Sequence, residues 1–135
     1  MMIKKGVYAA GLSVLNTDKT LNIDATINHA SNAIQNGLHG VFFFGSTGQS
    51  QLISINEKKE LISKIANHKL RKQFFLGTGN NSLNENIDLI KYAMEYNFRQ
   101  FLIMPPAYYK GNTDEGVFDF YSRLIKPLPK VKIII

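Results

Sequence analysis

Short apolar runs alternate with amphipathic helical stretches along the whole chain, and that alternation leaves few folds open. The runs at residues 7–15, 41–44, 74–76, 101–104 and 131–135 read as strands, each separated from the next by a segment with helical periodicity. From the second run onward the starts are 33, 27 and 30 residues apart. A (β/α)8 barrel of about 250 residues implies about 31 per unit, so the pitch suits a barrel.

The intervening helices carry their own signals. Ile23, Ile27, Ala30 and Ile34 recur at spacings of 4, 3 and 4, and Leu83, Ile87, Ile90 and Met94 repeat that spacing, so each helix presents one apolar stripe that must cover a sheet. Ser54-Ile55-Asn56-Glu57 and Ser82-Leu83-Asn84-Glu85 read as capping boxes, with Ser closing one orphan N–H and Glu reaching back to another. A fourth helix opens near Thr113, buries Val117, Tyr121 and Leu124, and stops before Pro127. The pattern predicts an α/β fold, a (β/α)8 TIM barrel present as roughly its first half (β1 to β5). Residues 131–135 read as a buried strand with no helix after it to cover its face, which predicts that residues 1–135 are the N-terminal part of one barrel domain, truncated within strand 5.

Composition removes several classes of chemistry. With no cysteine, disulfides, Cys-ligated zinc and thiol nucleophiles are excluded, and the absence fits a cytoplasmic protein. No apolar stretch approaches the ~20 residues needed to cross a bilayer, so no membrane role is expected. The net charge of +6 gathers partly between residues 58 and 72, where Lys58, Lys59, Lys64, Lys69, Arg71 and Lys72 read mostly as the solvated face of a helix. No nucleic-acid motif accompanies them, so no nucleic-acid partner is expected. His29, His39 and His68 lack the spacing of a metal site and read as surface residues.

In such a barrel, catalytic groups sit where strands end. Gly45-Ser46-Thr47-Gly48-Gln49-Ser50 follows the second strand, and its paired glycines and hydroxyls suit either a tight turn or a cradle of backbone N–H groups for a small anion such as a carboxylate. Gly77-Thr78-Gly79-Asn80-Asn81-Ser82 follows the third. It starts like a dinucleotide fingerprint but has Ser82 in place of the third glycine, and reads as a barrel loop rather than a cofactor site. Pro105-Pro106-Ala107-Tyr108-Tyr109-Lys110-Gly111 follows the fourth, bringing phenols that either relay protons or anchor a subunit contact.

Taken in order, Gly45-Ser46-Thr47-Gly48-Gln49-Ser50, Gly77-Thr78-Gly79, and Pro106-Ala107-Tyr108-Tyr109 followed by Asp114-Glu115-Gly116 resemble the dihydrodipicolinate synthase and N-acetylneuraminate lyase family over nearly the whole chain. The resemblance implies a metal-free and cofactor-free class I aldolase in which a lysine forms an imine with pyruvate. It implies that Thr47, with the backbone of Ser46 and Thr47, holds the pyruvate carboxylate, that the Ser46 hydroxyl passes protons, and that Tyr109 completes the relay, commonly in a neighbouring subunit's site. A homotetramer built from tight dimers follows from the same resemblance. So does the expected reaction, condensation of pyruvate with aspartate semialdehyde in lysine biosynthesis (4-hydroxy-tetrahydrodipicolinate synthase activity), or else cleavage of a keto acid such as N-acetylneuraminate. The family's second tyrosine and its Schiff-base lysine are expected after residue 135, which would leave the 135-residue chain inactive alone. Lys110 is a poor substitute, because an amine exposed on a loop lacks the burial that makes a lysine a good nucleophile. Ser46 stands where the synthases usually carry threonine, and Gln49 replaces a glutamate common to both groups, departures that bear on the second substrate. A different class, a five-stranded doubly wound binding domain of about this length, is disfavoured because the first strand ends without an acidic cluster.

Overall fold

The computed structural model describes residues 5–106, 108 and 110–135. Among the described residues five strands, β1 (Tyr8–Ala10), β2 (Gly40–Phe43), β3 (Phe74–Gly77), β4 (Gln100–Leu102) and β5 (Lys132–Ile134), alternate with four α-helices, α1 (Ile23–Gln35), α2 (Ile55–Ile65), α3 (Leu83–Glu95) and α4 (Asp114–Ile125). All neighbouring strands pair in parallel, in the order β1-β2-β3-β4-β5. Sequential order with a helix in every crossover is the topology of a barrel wall. A doubly wound sheet would reverse its strand order at some point.

Alternation along the strands separates two faces. Val41, Phe43, Phe74, Leu76, Phe101 and Ile103 are all buried, and they form the core together with Ile27, Ala30 and Ile34 of α1, Leu61, Ile62 and Ile65 of α2, and Leu89, Ile90 and Ala93 of α3. Tyr8, Phe42 and Phe75 occupy the other face, with Phe42 stacked on Phe75 at 5.0 Å between ring centroids and Tyr8 edge-on to both. These three rings are only half-buried.

The caps explain where the helices begin. Asn22, Ser54, Ser82 and Thr113 each accept a hydrogen bond from an N–H of the first turn. At Ser54 the box is reciprocal, and Glu57 also accepts from the Leu21 N–H at 2.6 Å, which fixes α2 to the segment entering α1. The Ser54 and Leu21 bonds hold the Glu57 carboxyl below its ordinary pKa. α4 buries Tyr121 and Leu124 as its spacing predicts, while Val117 is only half-buried. No helix among the described residues is long and apolar enough to cross a membrane.

Four expectations change. The first strand spans Tyr8–Ala10, not residues 7–15. Beyond Gly11 the chain turns back on itself, with Leu15 bridging Leu21 antiparallel and Thr26 receiving the Val14 N–H. The buried face of α3 is rotated toward Asn86, Leu89, Ile90 and Ala93, leaving Leu83, Ile87 and Met94 half-buried. Asn86 is drawn inward because its amide donates to the carbonyls of Asn80 at 3.0 Å and Ser82 at 2.9 Å. At Ser82 only the forward half of the box forms, from the Glu85 N–H to the Ser82 hydroxyl. Finally, Lys58 is not solvated at all: it is fully buried.

Candidate functional site

Because every strand is parallel, the C-terminal ends of β1 to β4 share one edge of the sheet, and the residues that follow them meet there. The chain leaves β2 through Phe44 and enters a tight turn. Phe44 has φ 60 and Gln49 φ 51, left-handed values that cost a non-glycine residue of order 1–3 kcal/mol and persist only where surroundings enforce them. Phe44 is held by burial, at 1% exposure. The turn closes through the Gln49 N–H to the Ser46 carbonyl at 3.0 Å and the Ser50 N–H to the Gly45 carbonyl at 3.4 Å. Ser46 and Thr47 stand exposed at its tip.

Both sides of the turn are braced. Ser13, just past β1, donates its hydroxyl to the Gly48 carbonyl at 2.6 Å, and a Cβ on Gly48 would lie 2.8 Å from the Gly11 carbonyl oxygen. On the β3 side Gly77 packs so closely that a Cβ there would lie 2.5 Å from the Phe44 carbonyl oxygen. Gly79, at φ +59, would place a Cβ 1.9 Å from the Ser50 hydroxyl. These glycines are therefore required by backbone-to-backbone approach and by a left-handed turn.

Ser46 opens onto a cavity of about 370 Å3 that it lines with Gln49, Ser50, Gln51, Leu52 and Met104. Met104 lies just beyond β4, so the turn after β2 and the segment after β4 face one space at the same end of the sheet. The fourth-strand segment is fixed from below by Tyr121, whose hydroxyl donates to the Ile103 carbonyl at 2.9 Å, and Asn112 donates to the Pro106 carbonyl at 3.0 Å. Burial raises the Tyr121 phenol above its ordinary pKa. Tyr108 is 78% exposed and Leu52 77% exposed, both close to this end. Tyr109 lies outside the described residues, so its expected place in the relay is a matter of sequence alone. Lys110 is exposed, as expected of a loop residue.

Of the basic residues at 58–72, Lys64, Lys69 and Lys72 are exposed as the sequence predicts, whereas Lys58, Lys59 and Arg71 pack against neighbours. Lys59 lies over the Tyr92 ring, Lys64 pairs with Asp24 at 2.6 Å, and Arg71 stacks on Phe98 while donating to the Tyr96 carbonyl at 2.7 Å. A depression of about 90 Å3 at the opposite end of the sheet includes Arg71 and Arg99, and both guanidiniums are engaged by carbonyls where α3 ends.

The residue that pattern reading missed is Lys58. Its ammonium, beneath the site edge, donates to the Thr78 carbonyl at 2.8 Å and to Asn80 Oδ1 at 2.9 Å, and lies 5.9 Å from the centre of the Phe44 ring. Burial pulls its pKa down to about 8, against an opposing attraction from Glu85. The signal was present: Lys58, Leu61, Ile62 and Ile65 fall at i, i+3, i+4 and i+7, which puts Lys58 on the apolar stripe of α2.

Comparison with known proteins agrees with this architecture. The family model described as "Dihydrodipicolinate synthetase family" matches residues 4–135. A 4-hydroxy-tetrahydrodipicolinate synthase of Leptospira biflexa is 34% identical over 121 residues, which are 89% of this chain and 40% of that protein. The crystal structure of dihydrodipicolinate synthase from Agrobacterium tumefaciens superposes with a TM-score of 0.87 at 30% identity, covering 97% of this chain and 47% of that one. An N-acetylneuraminate lyase from Mycoplasma synoviae shares the fold at a TM-score of 0.83 and 22% identity, over 97% of this chain and 46% of its own. The chain thus spans less than half the length of these relatives. With its strand order, strand-end turns and family match in agreement, the chain belongs to the dihydrodipicolinate synthetase family and carries the first five strands of that family's barrel.

Proposed function

We propose that this chain is the N-terminal part of a pyruvate-dependent class I aldolase and supplies the carboxylate-binding turn and proton relay of its site. The observation that carries the reading is the placement of Ser46: an exposed hydroxyl on a braced strand-end turn, opening onto a cavity that also receives the residue following β4. Backbone N–H groups on such a turn suit a carboxylate, and an adjacent hydroxyl suits proton transfer.

In the proposed reaction Thr47 and the backbone of Ser46 and Thr47 hold the pyruvate carboxylate. A lysine amine beyond residue 135 attacks the ketone carbon, and the carbonyl oxygen leaves as water to give an imine. Loss of a methyl proton then gives an enamine, whose carbon forms the new bond to an aldehyde. Ser46 and Tyr109 shuttle the protons of imine formation. We propose aspartate semialdehyde as the aldehyde, in a cytoplasmic lysine-biosynthetic enzyme. We also propose that tight dimers within a tetramer bring Tyr109 to the neighbouring site, a reading supported by the exposed Leu52 and Tyr108 beside the cavity.

Ser46 in place of threonine favours one second reading, cleavage of a keto acid such as N-acetylneuraminate. Pyruvate release assayed across a panel of keto acids separates the two. The pyruvate half is tested by borohydride reduction in the presence of pyruvate, followed by peptide mapping. A reduced pyruvyl adduct on a lysine outside residues 1–135 is expected, and an adduct on any lysine within them overturns the assignment.

A further inference from the structure

We propose that Lys58 is a positioning residue for this site: its ammonium holds the loop after β3 against the turn that carries Ser46 and Thr47. The inference rests on the reading of that turn as the pyruvate-binding element, and its structural part is tested independently of that reading below.

The connection runs through three contacts. Lys58 grips the loop at two points, the Thr78 carbonyl at 2.8 Å and Asn80 Oδ1 at 2.9 Å. Between those points lies Gly79, whose backbone sits against the Ser50 side chain so closely that no Cβ fits. Ser50 in turn closes the β2 turn through its N–H to the Gly45 carbonyl. One step earlier, Gly77 abuts the Phe44 carbonyl, so the same loop backs the turn at both of its ends. At Gly77 and Gly79 the two segments meet with no room for a Cβ, so a loop released by Lys58 moves the surface on which the turn rests.

The loop needs such a clamp. Thr78 is 1% exposed and Ser50 1% exposed, yet Thr78 Oγ1, Ser50 Oγ and Asn80 Nδ2 have no hydrogen-bond partner among the described residues. A buried polar group left unpaired is destabilising, which favours a looser loop that reaches water. Hydrogen bonds from a charged donor are the stronger kind and oppose that opening. A methionine at this position would fill the space and supply no donor. A lysine on the apolar stripe of α2 therefore has a use that packing alone does not explain.

The test is hydrogen exchange by mass spectrometry on the full natural-length protein, comparing wild type with K58M, K58R and N80A. In K58M, peptides covering residues 45–52 and 77–81 are expected to exchange about tenfold faster, while α4 stays within about twofold. K58R, which keeps a charged donor, is expected to recover protection, and N80A, which removes one acceptor, is expected to loosen the same two segments by a smaller factor. In turnover, K58M is expected to raise the pyruvate KM about tenfold with kcat changed less than about threefold, since what is disturbed is substrate placement. Should K58M fail to fold, N80A carries the same comparison. Uniform acceleration along the chain, no change in either segment, or loosened loops with an unaltered pyruvate KM each overturn the proposal. A protein that shows the loosened loops but forms no pyruvyl adduct overturns the functional reading above and leaves the clamp standing.

Discussion

The Ser13 hydroxyl donates to the Gly48 carbonyl at 2.6 Å across 35 residues of sequence, tying the segment that leaves β1 to the turn that leaves β2. Two strand ends are thereby made one unit. Ser13→Ala removes this donor from a half-buried carbonyl, and the expected loss is about 0.5–1.5 kcal/mol of unfolding free energy by urea titration. The pyruvate KM is expected to rise several-fold, about 3–10, with kcat nearly unchanged, because the turn is loosened but no reacting group is removed.

Gly77→Ala is expected to be more damaging than a glycine-to-alanine change in a strand usually is. Its new methyl group would lie 2.5 Å from the Phe44 carbonyl oxygen, so the backbones of β2 and β3 must separate. Overpacking of this kind costs about 1–3 kcal/mol, read as a lowered urea midpoint. By contrast a Cβ at Gly37 would meet nothing within 4 Å, so Gly37→Ala should cost only the strain of its φ of +101. Equal losses in the two variants would contradict the close approach.

The buried ammonium of Lys58 gives stability a distinctive pH dependence. Its pKa is about 8 in the folded protein against an ordinary 10.5, so between these values the unfolded chain binds more protons than the folded one. Stability attributable to this residue therefore rises with pH from about 8 to about 10.5, while below pH 8 its desolvation cost is present in full. Wild type minus K58M unfolding free energy, measured across that window, is expected to increase by on the order of 2 kcal/mol, and groups titrating alike in both proteins cancel. A difference that is flat with pH would show that Lys58 keeps its ordinary affinity for protons.

Much of this architecture was legible in the sequence because its helices bury one stripe each and their spacing is local. Ile23, Ile27, Ala30 and Ile34 are all buried as their period demands, and Ser54 and Thr113 cap where they were expected to. What escaped was set by partners distant in sequence or by a polar side chain in an apolar place. Residues 12–15 carry a strand-like pattern but are pulled from the sheet by Asn22 and Thr26. Asn86 is counted as polar by any pattern, yet it is fully buried because two carbonyls before α3 need its amide. Lys58 falls on the apolar stripe by position but reads as a water-facing residue by type. Ser46 and Thr47 lie in a recognisable motif, whereas the brace from Ser13 lies in no motif at all.

Exchange of the pyruvate methyl protons with solvent tests the central claim most directly, because imine and enamine formation releases those protons whether or not the aldehyde partner is known. Followed by proton NMR in deuterium oxide with the natural-length protein, the pyruvate methyl signal is expected to disappear catalytically. S46A is expected to slow that loss about 100-fold, the scale of a removed proton-transfer group. A methyl signal that persists at the buffer rate in the wild-type protein, or one that vanishes equally fast in S46A, would contradict the account.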